Sequence, residues 1–302
     1  MVVGHCTDNH LLITYIYSFH MPALFIISGY LFKPHSWYKT VLSFAIPVIF
    51  FSLVNLSVQL LLGDLTLDSI ATPQFFLRFL HYRYGLGDGF FIGDWFLWAL
   101  LGLRFLFGDI KPLKVTRKYY IAIASVCVLY MTFERHLVSI DSIFRGYLIG
   151  RMVPSLIFFC TGFYLLDRNW NPKSVSKQYI FPLVLLFFLL PLFNGGSGIV
   201  ANDYGRSYLL FVINAILSSV LLFILSSKIP ATQFSETISK GTLVVLGTHI
   251  PILHVLDYLL PDIISFLFPF VTIIICYYII GFCDKHCPIL LGKWRNITFR
   301  KE

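Results

Sequence analysis

Nine apolar runs restrict the fold of this 302-residue chain more than any other feature of its sequence. The hydrocarbon core of a bilayer is about 30 Å thick, and a helix crosses it with about 20 mostly apolar residues. The predicted spans are residues 11–32, 40–63, 91–108, 119–133, 151–166, 179–193, 207–227, 241–260 and 264–282. The fold class that follows is all-α, a polytopic transmembrane helix bundle of about nine spans, with residues 1–6 as the stub of a tenth.

The composition excludes an ordinary water-soluble domain. Apolar residues make up 57% of the chain and charged residues 13%, whereas a soluble domain has about 25% charged residues. The chain therefore has too few charges to cover a surface that faces water. Since no Gly/Ser-rich, Pro-rich or acidic tract divides it, we predict a single membrane domain over residues 1–302.

The distribution of positive charge predicts the orientation. A net charge of +8 would suggest nucleic acid in a soluble protein, but cytoplasmic loops of membrane proteins also collect Lys and Arg. With the C-terminal tail in the cytoplasm, the inner segments carry 16 Lys and Arg residues and the outer segments carry 5. We therefore predict a cytoplasmic C-terminus, a lipid bilayer as partner, and no nucleic-acid partner.

Two further segments are candidates for a binding site: the cysteines near the C-terminus and the polar segment 194–206. Cys283 and Cys287 flank His286, but three ligands at this spacing are unlike a zinc knuckle, so we expect no metal site. The segment 194–206 reads Asn-Gly-Gly-Ser-Gly-Ile-Val-Ala-Asn-Asp-Tyr-Gly-Arg, which predicts a flexible polar loop. Its groups suit a carbohydrate and suit interfacial anchoring equally well.

Polar side chains inside spans mark candidate sites, because an ionisable group in hydrocarbon is costly. His20 and Ser28 lie two turns apart on one stripe of the predicted helix 11–32. His5 precedes that helix on the same predicted side of the membrane, so the two histidines could face each other. Histidine is suited to removing a proton from a hydroxyl that attacks an acyl carbonyl. The alternative is that both are interfacial histidines bonded to backbone or water.

Three further residues have two open interpretations each. Arg104, near the cytoplasmic end of its span, either holds CoA phosphates or extends to the inner interface. Arg151 either contacts sugar or donor, or extends to the interface in the same way. His249 lies within a span, where a histidine usually faces a cavity, and is either a binding residue or a structural one.

Four motifs give the chain a resemblance to a known family. The first is Gly4-His5, followed after a short polar link by Phe19-His-Met-Pro-Ala-Leu-Phe-Ile-Ile-Ser-Gly-Tyr30. The others are Trp95-Phe-Leu-Trp-Ala-Leu100 with Arg104, Pro154-Ser-Leu-Ile-Phe-Phe-Cys-Thr-Gly162, and Leu246-Gly-Thr-His-Ile-Pro251. In this order they resemble membrane acyltransferase family 3, and more closely its branch of fucose and other sugar O-acetylases.

The resemblance implies a ten-helix enzyme of the inner membrane that performs O-acetylation. It would move an acetyl group from cytoplasmic acetyl-CoA, a substrate rather than a bound cofactor, to a hydroxyl of a surface polysaccharide or its precursor. It implies that His5 matches the family's catalytic histidine at the outer end of the first helix, as general base or acyl relay, and that His20, also a predicted catalytic residue, matches the histidine of the second helix. His20 and Ser28 would orient His5 or the substrate, and Trp95, Arg104, Arg151 and His249 would contact substrate or donor.

The chain departs from the family pattern at its start. The family places a basic residue about three helical turns before the first histidine, and this chain begins four residues before His5. This departure predicts either an internal start codon or a truncated, inactive family member. The remaining alternative is a membrane carrier of a lipid-linked sugar or small solute, with the same histidines as substrate or proton sites. The sequence leaves open the acceptor sugar, the hydroxyl modified, the acyl chain length and the oligomeric state.

Overall fold

The structure is a computed structural model that describes residues 2–7, 9–33, 36–71, 95–107, 117–136, 148–199 and 203–293. Regular structure in these ranges is helical, apart from one isolated bridge between Gly198 and Asp203. The main helices are α1 (His10–Tyr30), α2 (Trp37–Leu62), α3 (Trp95–Phe107), α4 (Arg117–His136), α5 (Leu148–Asp167), α6 (Ile180–Asn194), α7 (Tyr208–Ser226), α8 (Gln233–Lys240), α9 (Thr242–Leu259) and α10 (Phe268–His286).

The predicted spans are confirmed in part. Each of the nine runs forms a helix at about the predicted position. Six helical segments are long and apolar enough to cross a membrane: His10–Tyr30, Trp37–Leu62, Lys177–Asn194, Tyr208–Ser226, Thr242–Leu259 and Ile264–His286. Trp95–Phe107 and Arg151–Leu166 are shorter apolar helices, and α4 meets neither description. The chain is thus an all-helical, multi-pass membrane protein, while the count of nine spans stays a prediction.

The helices fall into two compact units by their internal contacts. The first comprises residues 1, 7–34 and 110–230, and the second comprises residues 2–6, 35–109 and 231–302. The prediction that residues 1–302 form one membrane domain is a statement about the whole chain and stays a prediction.

In the first unit, α1 packs against α5 and α7, and α4 packs against α5. Helix α1 begins after Asn9, whose side chain accepts a hydrogen bond from the backbone N–H of Leu12 at 3.0 Å. This cap satisfies one of the amide groups that a helix start leaves without a partner. The interior contains the fully buried rings of Phe158, Phe159 and Phe211.

The segment that connects α6 to α7 differs from the flexible loop that its sequence suggests. The side chain of Asn194 is buried, and its amide donates to the carbonyl of Tyr204 at 2.8 Å. Its carbonyl oxygen accepts from the backbone N–H of Ser207 at 3.0 Å, and its backbone carbonyl accepts from that of Arg206 at 2.8 Å. Asn194 therefore closes the described part of this segment into an ordered turn, in which Tyr204 is buried.

In the second unit, α9 packs against α2 and α10. Gly247 of α9 lies directly against the ring of Phe51 of α2, at a distance that leaves no room for a Cβ atom. Glycine therefore allows these two helices to approach closely. A short 3₁₀ helix, Val2–His5, contacts α10.

Candidate active site

His5 occupies a defined position because its short helix is anchored by an apolar cluster. Val2, at the start of that helix, is buried with Leu253 and Leu256 of α9 and Phe268 of α10. Cys6, which directly follows His5 in the sequence, packs against the same cluster. Burial of apolar side chains on both sides of His5 thus fixes the segment against α9 and α10.

The imidazole rings of His5 and His249, two of the candidate residues, lie side by side. Their ring centroids lie 5.4 Å apart, and their planes are inclined by 54°. Sequence reasoning selected both residues but expected His5 to face His20. A contact between residues so distant in the chain leaves no spacing signal, so it could not be read from the motifs.

The hydrogen bonds of His249 fix its tautomer. Its Nδ1 lies 2.9 Å from the carbonyl oxygen of Val245 and 3.0 Å from that of Leu246. Carbonyl oxygens only accept hydrogen bonds, so Nδ1 carries the proton and donates. Nε2 therefore carries the lone pair of the neutral ring. It is buried and has no hydrogen-bond partner among the described residues, and the whole side chain is 2% exposed.

His254 lies close enough to His5 to affect its charge, and it is paired with Asp64; neither residue was selected from the sequence. Asp64 follows Gly63, which ends α2 with φ of 83°. Its Oδ2 lies 3.9 Å from Nδ1 of His254, and the two side chains are 56% and 35% exposed. Asp64 directly follows the predicted span 40–63, and His254 lies in the outer half of the predicted span 241–260. Their positions on the predicted outer side were the available signal in the sequence.

The surroundings of His5 favour its neutral form. The residue as a whole is exposed, and yet the protein around its ring lowers the pKa of His5 to about 4. Loss of hydration is the largest cause of the lowered pKa, and a positive charge on His254 also contributes. His5 therefore has a lone pair available at neutral pH.

A polar stripe on α2 lines the interior of the same unit. Ser52, Asn55 and Gln59 are buried, and their spacing of three and four residues places them on one face of the helix. Ser52 accepts a hydrogen bond from the indole N–H of Trp98 at 3.3 Å. Sequence reasoning missed this stripe, although three polar residues at helical spacing within an apolar run were a signal for it.

Arg104 and Trp95 lie on α3 of the second unit, separated by nine residues or about 14 Å along the helix. The guanidinium carbon of Arg104 lies 5.0 Å from the ring centroid of Phe44. Its Nε is buried and has no hydrogen-bond partner within the described ranges. Phe44 belongs to a π-helical turn of α2, Val41–Ala45, a type of irregularity that often occurs at functional sites. Trp95 is buried.

The other predicted site residues lie in the first unit. The Nδ1–H of His20 donates to the carbonyl of Ile16 at 2.7 Å, and the ring meets that of Tyr17 edge to face at 4.9 Å. Ser28 is half-buried on the same helix. Arg151 of α5 is 3% exposed, and its backbone carbonyl accepts from the hydroxyl of Ser155 at 2.7 Å. Since His5 and His20 belong to different units, their predicted pairing stays a prediction.

The arrangement as a whole is suited to proton transfer. It places a neutral histidine beside a buried histidine whose proton is held on one nitrogen, with a carboxylate and a third imidazole nearby. In the part of the chain that the structure describes, no group of three or more His, Cys, Asp or Glu side chains is arranged to hold a metal ion.

Comparison with known proteins gives one match. Residues 1–283 match a family model described as an acyltransferase domain, which covers more than nine-tenths of the chain. No curated protein and no solved structure matches the chain.

Proposed function

This chain belongs to membrane acyltransferase family 3, and from that membership we propose that it transfers an acetyl or other acyl group from acyl-CoA to a hydroxyl of a cell-surface sugar or polysaccharide precursor. The family match over residues 1–283 is the observation that carries the proposal. The His5–His249 pair in the second unit supports it, because acyl transfer to a hydroxyl needs a base.

His5 is the general base of the proposed reaction. It takes the proton of the acceptor hydroxyl while the hydroxyl oxygen attacks the thioester carbonyl. The new ester C–O bond forms, the thioester C–S bond breaks, and the proton passes from His5 to the departing sulfur. The products are the O-acylated sugar and CoA thiol. Because the pKa of His5 is about 4, its ring is neutral at neutral pH and carries the lone pair that a general base needs.

Arg104 is the proposed anchor for the CoA phosphates. Arg104 is half-buried, and its Nε is buried without a hydrogen-bond partner in the described ranges, which costs free energy unless a partner such as an anion binds there. A phosphate group is the anion that arginine binds best, through paired hydrogen bonds. Trp95 begins the same helix and is the proposed apolar contact for the donor. No bound cofactor is part of this proposal.

The remaining predicted residues lie in the first unit and are proposed to bind the acceptor. His20 and Ser28 of α1 orient the acceptor sugar, and Arg151 of α5 contacts it. His249, which the motif also predicts as a binding residue, lies beside His5. The enzyme lies in the inner (plasma) membrane with its C-terminus in the cytoplasm, so that acyl-CoA enters from the side rich in Lys and Arg.

Acetylation in living cells tests this function. Cells that express the chain should gain acetyl esters, removable by mild alkali, on a surface polysaccharide or lipid-linked sugar, as detected by mass spectrometry. The same cells expressing His5→Ala at equal membrane abundance should lack them. Equal ester content in both, or in cells without the chain, would contradict the proposal. Movement of an unmodified sugar across the membrane would instead support a carrier.

A further inference from the structure

We propose that His249 is a positioning residue for His5: its buried Nε2 is the acceptor to which a small rotation of the His5 ring brings one ring N–H, and the hydrogen bond so formed leaves the other ring nitrogen as the base. This inference rests on the proposed function, and it gives His249 a different role from the substrate contact that its motif suggests. It depends on three observations about His249, namely its burial, its fixed tautomer and the place of the neighbouring ring.

The burial of His249 argues against direct contact with a substrate. The side chain is 2% exposed, and its Nδ1–H is occupied by the carbonyls of Val245 and Leu246. Only Nε2 retains hydrogen-bonding capacity, and it can only accept while the ring is neutral. A buried acceptor of this kind requires a donor, because leaving it unpaired costs about 1–3 kcal/mol.

The distance between the rings suits that donor. A ring nitrogen lies roughly 1.2 Å from its ring centroid, so centroids 5.4 Å apart allow facing nitrogens to approach to about 3 Å. That separation is the usual length of a hydrogen bond from N–H. An edge-on approach of this kind is compatible with the 54° inclination of the two planes.

The consequence for the reaction is a choice of tautomer. A neutral imidazole exchanges between two forms, and only the form with a lone pair toward the acceptor hydroxyl can act as base. An acceptor fixed in position selects the form in which the proton points toward it. The contact of Gly247 with Phe51 holds α9 against α2, and the Val2 cluster holds the 3₁₀ helix, so the two rings are held close to each other before substrate binds.

Two substitutions of similar size separate this role from a merely structural one. The carbonyl oxygen of His249→Gln reaches about as far as Nε2 and replaces the acceptor. The shorter amide of His249→Asn reaches only to the place of Nδ1. His249→Phe fills the volume of the ring without any acceptor and serves as a third variant. Any variant that fails to fold is identified by its membrane insertion and by its elution profile in size-exclusion chromatography in detergent.

The first readout is independent of acyl transfer. Carbethoxylation of His5 by diethyl pyrocarbonate, followed by mass spectrometry, reports the available lone pair of its ring, with exposed His10 as internal reference. We expect the rate at His5 in the Gln variant to stay within about threefold of wild type, and the rate in the Asn and Phe variants to fall by about tenfold. Equal rates in all four proteins would overturn the proposal.

The second readout is the kinetics of transfer. We expect kcat in the Asn and Phe variants to fall by about 10–100-fold, less than the roughly 10²–10⁴ that a general base contributes as a whole. KM for acyl-CoA and for the acceptor should stay unchanged, whereas a raised KM with unchanged kcat would show that His249 binds substrate and overturn the proposal. The two proposals can fail separately. If the reactivity of His5 falls in the Asn and Phe variants but the wild-type protein transfers no acyl group, the pairing is supported and the proposed function is rejected.

Discussion

Gly29 of α1 and Gly162 of α5 bring the backbones of their helices into direct contact. A Cβ atom on Gly29 would overlap the carbonyl oxygen of Phe159, and one on Gly162 would overlap the carbonyl oxygen of Ile26. Small residues at such crossings allow close helix packing in membranes, where the hydrophobic effect between helices is weak. This contact holds α1, which carries His20 and Ser28, against α5, which carries Arg151.

Replacement of Gly29 by alanine should destabilise the protein. The added methyl group meets a backbone atom that cannot rotate away, so we expect a loss of at least about 1–3 kcal/mol, the usual cost of overpacking. Thermal unfolding in detergent measures it. Gly281→Ala is the matched control, because a Cβ there meets nothing within 4 Å and alanine favours the helix by up to about 1 kcal/mol. Equal melting temperatures in the two variants would show that the α1–α5 contact is not tight.

Asn194→Ala should open the segment between α6 and α7. The substitution removes two side-chain hydrogen bonds and leaves the carbonyl of Tyr204 and the N–H of Ser207 without them, at about 1–3 kcal/mol for each group that stays buried. Limited proteolysis should cut the variant between residues 195 and 207 faster than wild type. Asn171→Ala removes an exposed cap with one such bond and should leave that rate unchanged. A segment that is cut equally fast in all three proteins would be as flexible as its sequence suggests.

The pKa of His5 predicts the acid limit of activity. Because that pKa is about 4, His5 stays neutral above about pH 5, and kcat/KM should be constant from there to about pH 8. Below about pH 4 protonation removes the lone pair, and kcat/KM should fall about tenfold per pH unit. Return to neutral pH should restore the rate if the protein has stayed folded.

His254→Gln provides a control for this profile. A positive charge on His254 is one of the causes that lower the pKa of His5, so its removal should shift the midpoint upward. A wild-type midpoint near 6.5, the value of an unperturbed histidine, would contradict the loss of hydration at His5.

Arg104→Gln should weaken binding of acyl-CoA. Loss of a charged hydrogen bond costs about 1.5–3 kcal/mol, which corresponds to an increase of about tenfold or more in KM for the donor. KM for the acceptor should stay constant. Arg168→Gln, at an exposed arginine that lies over the ring of Tyr164, should change neither constant. An unchanged KM for acyl-CoA in Arg104→Gln would mean that the side chain only extends to the membrane interface.

The helices could be predicted from the sequence because their signal is local. The run 241–260 predicts α9 to within one residue at each end, Thr242–Leu259. Gly29, next to Ser28, also has a local signal, since glycine is the smallest residue and allows close approach of another helix. Residues 91–94 and 108 of the third predicted span lie outside the described residues, so only its central part can be compared.

The arrangement of the site could not be predicted, because it depends on which helices become neighbours. The pairing of His5 with His249, and the place of Asp64 beside His254, both follow from packing around α9. The order in the segment 194–206 likewise depends on one buried side chain, Asn194, whose partners follow ten and thirteen residues later. Composition alone describes that segment as polar and rich in glycine, which is also typical of flexible loops.

The central claim is acyl transfer with His5 as base, and transfer of labelled acetyl groups in isolated membranes tests it most directly. Membranes that contain the chain receive radiolabelled acetyl-CoA together with lipid-linked sugars, which are extracted from cells in which expression of the chain produces acetyl esters. The radioactivity in alkali-sensitive esters is then counted. We expect the wild-type protein to label the sugar. His5→Ala at equal membrane abundance should label it about 10²–10⁴-fold more slowly. Equal labelling by both proteins, or none by the wild type, would contradict the account.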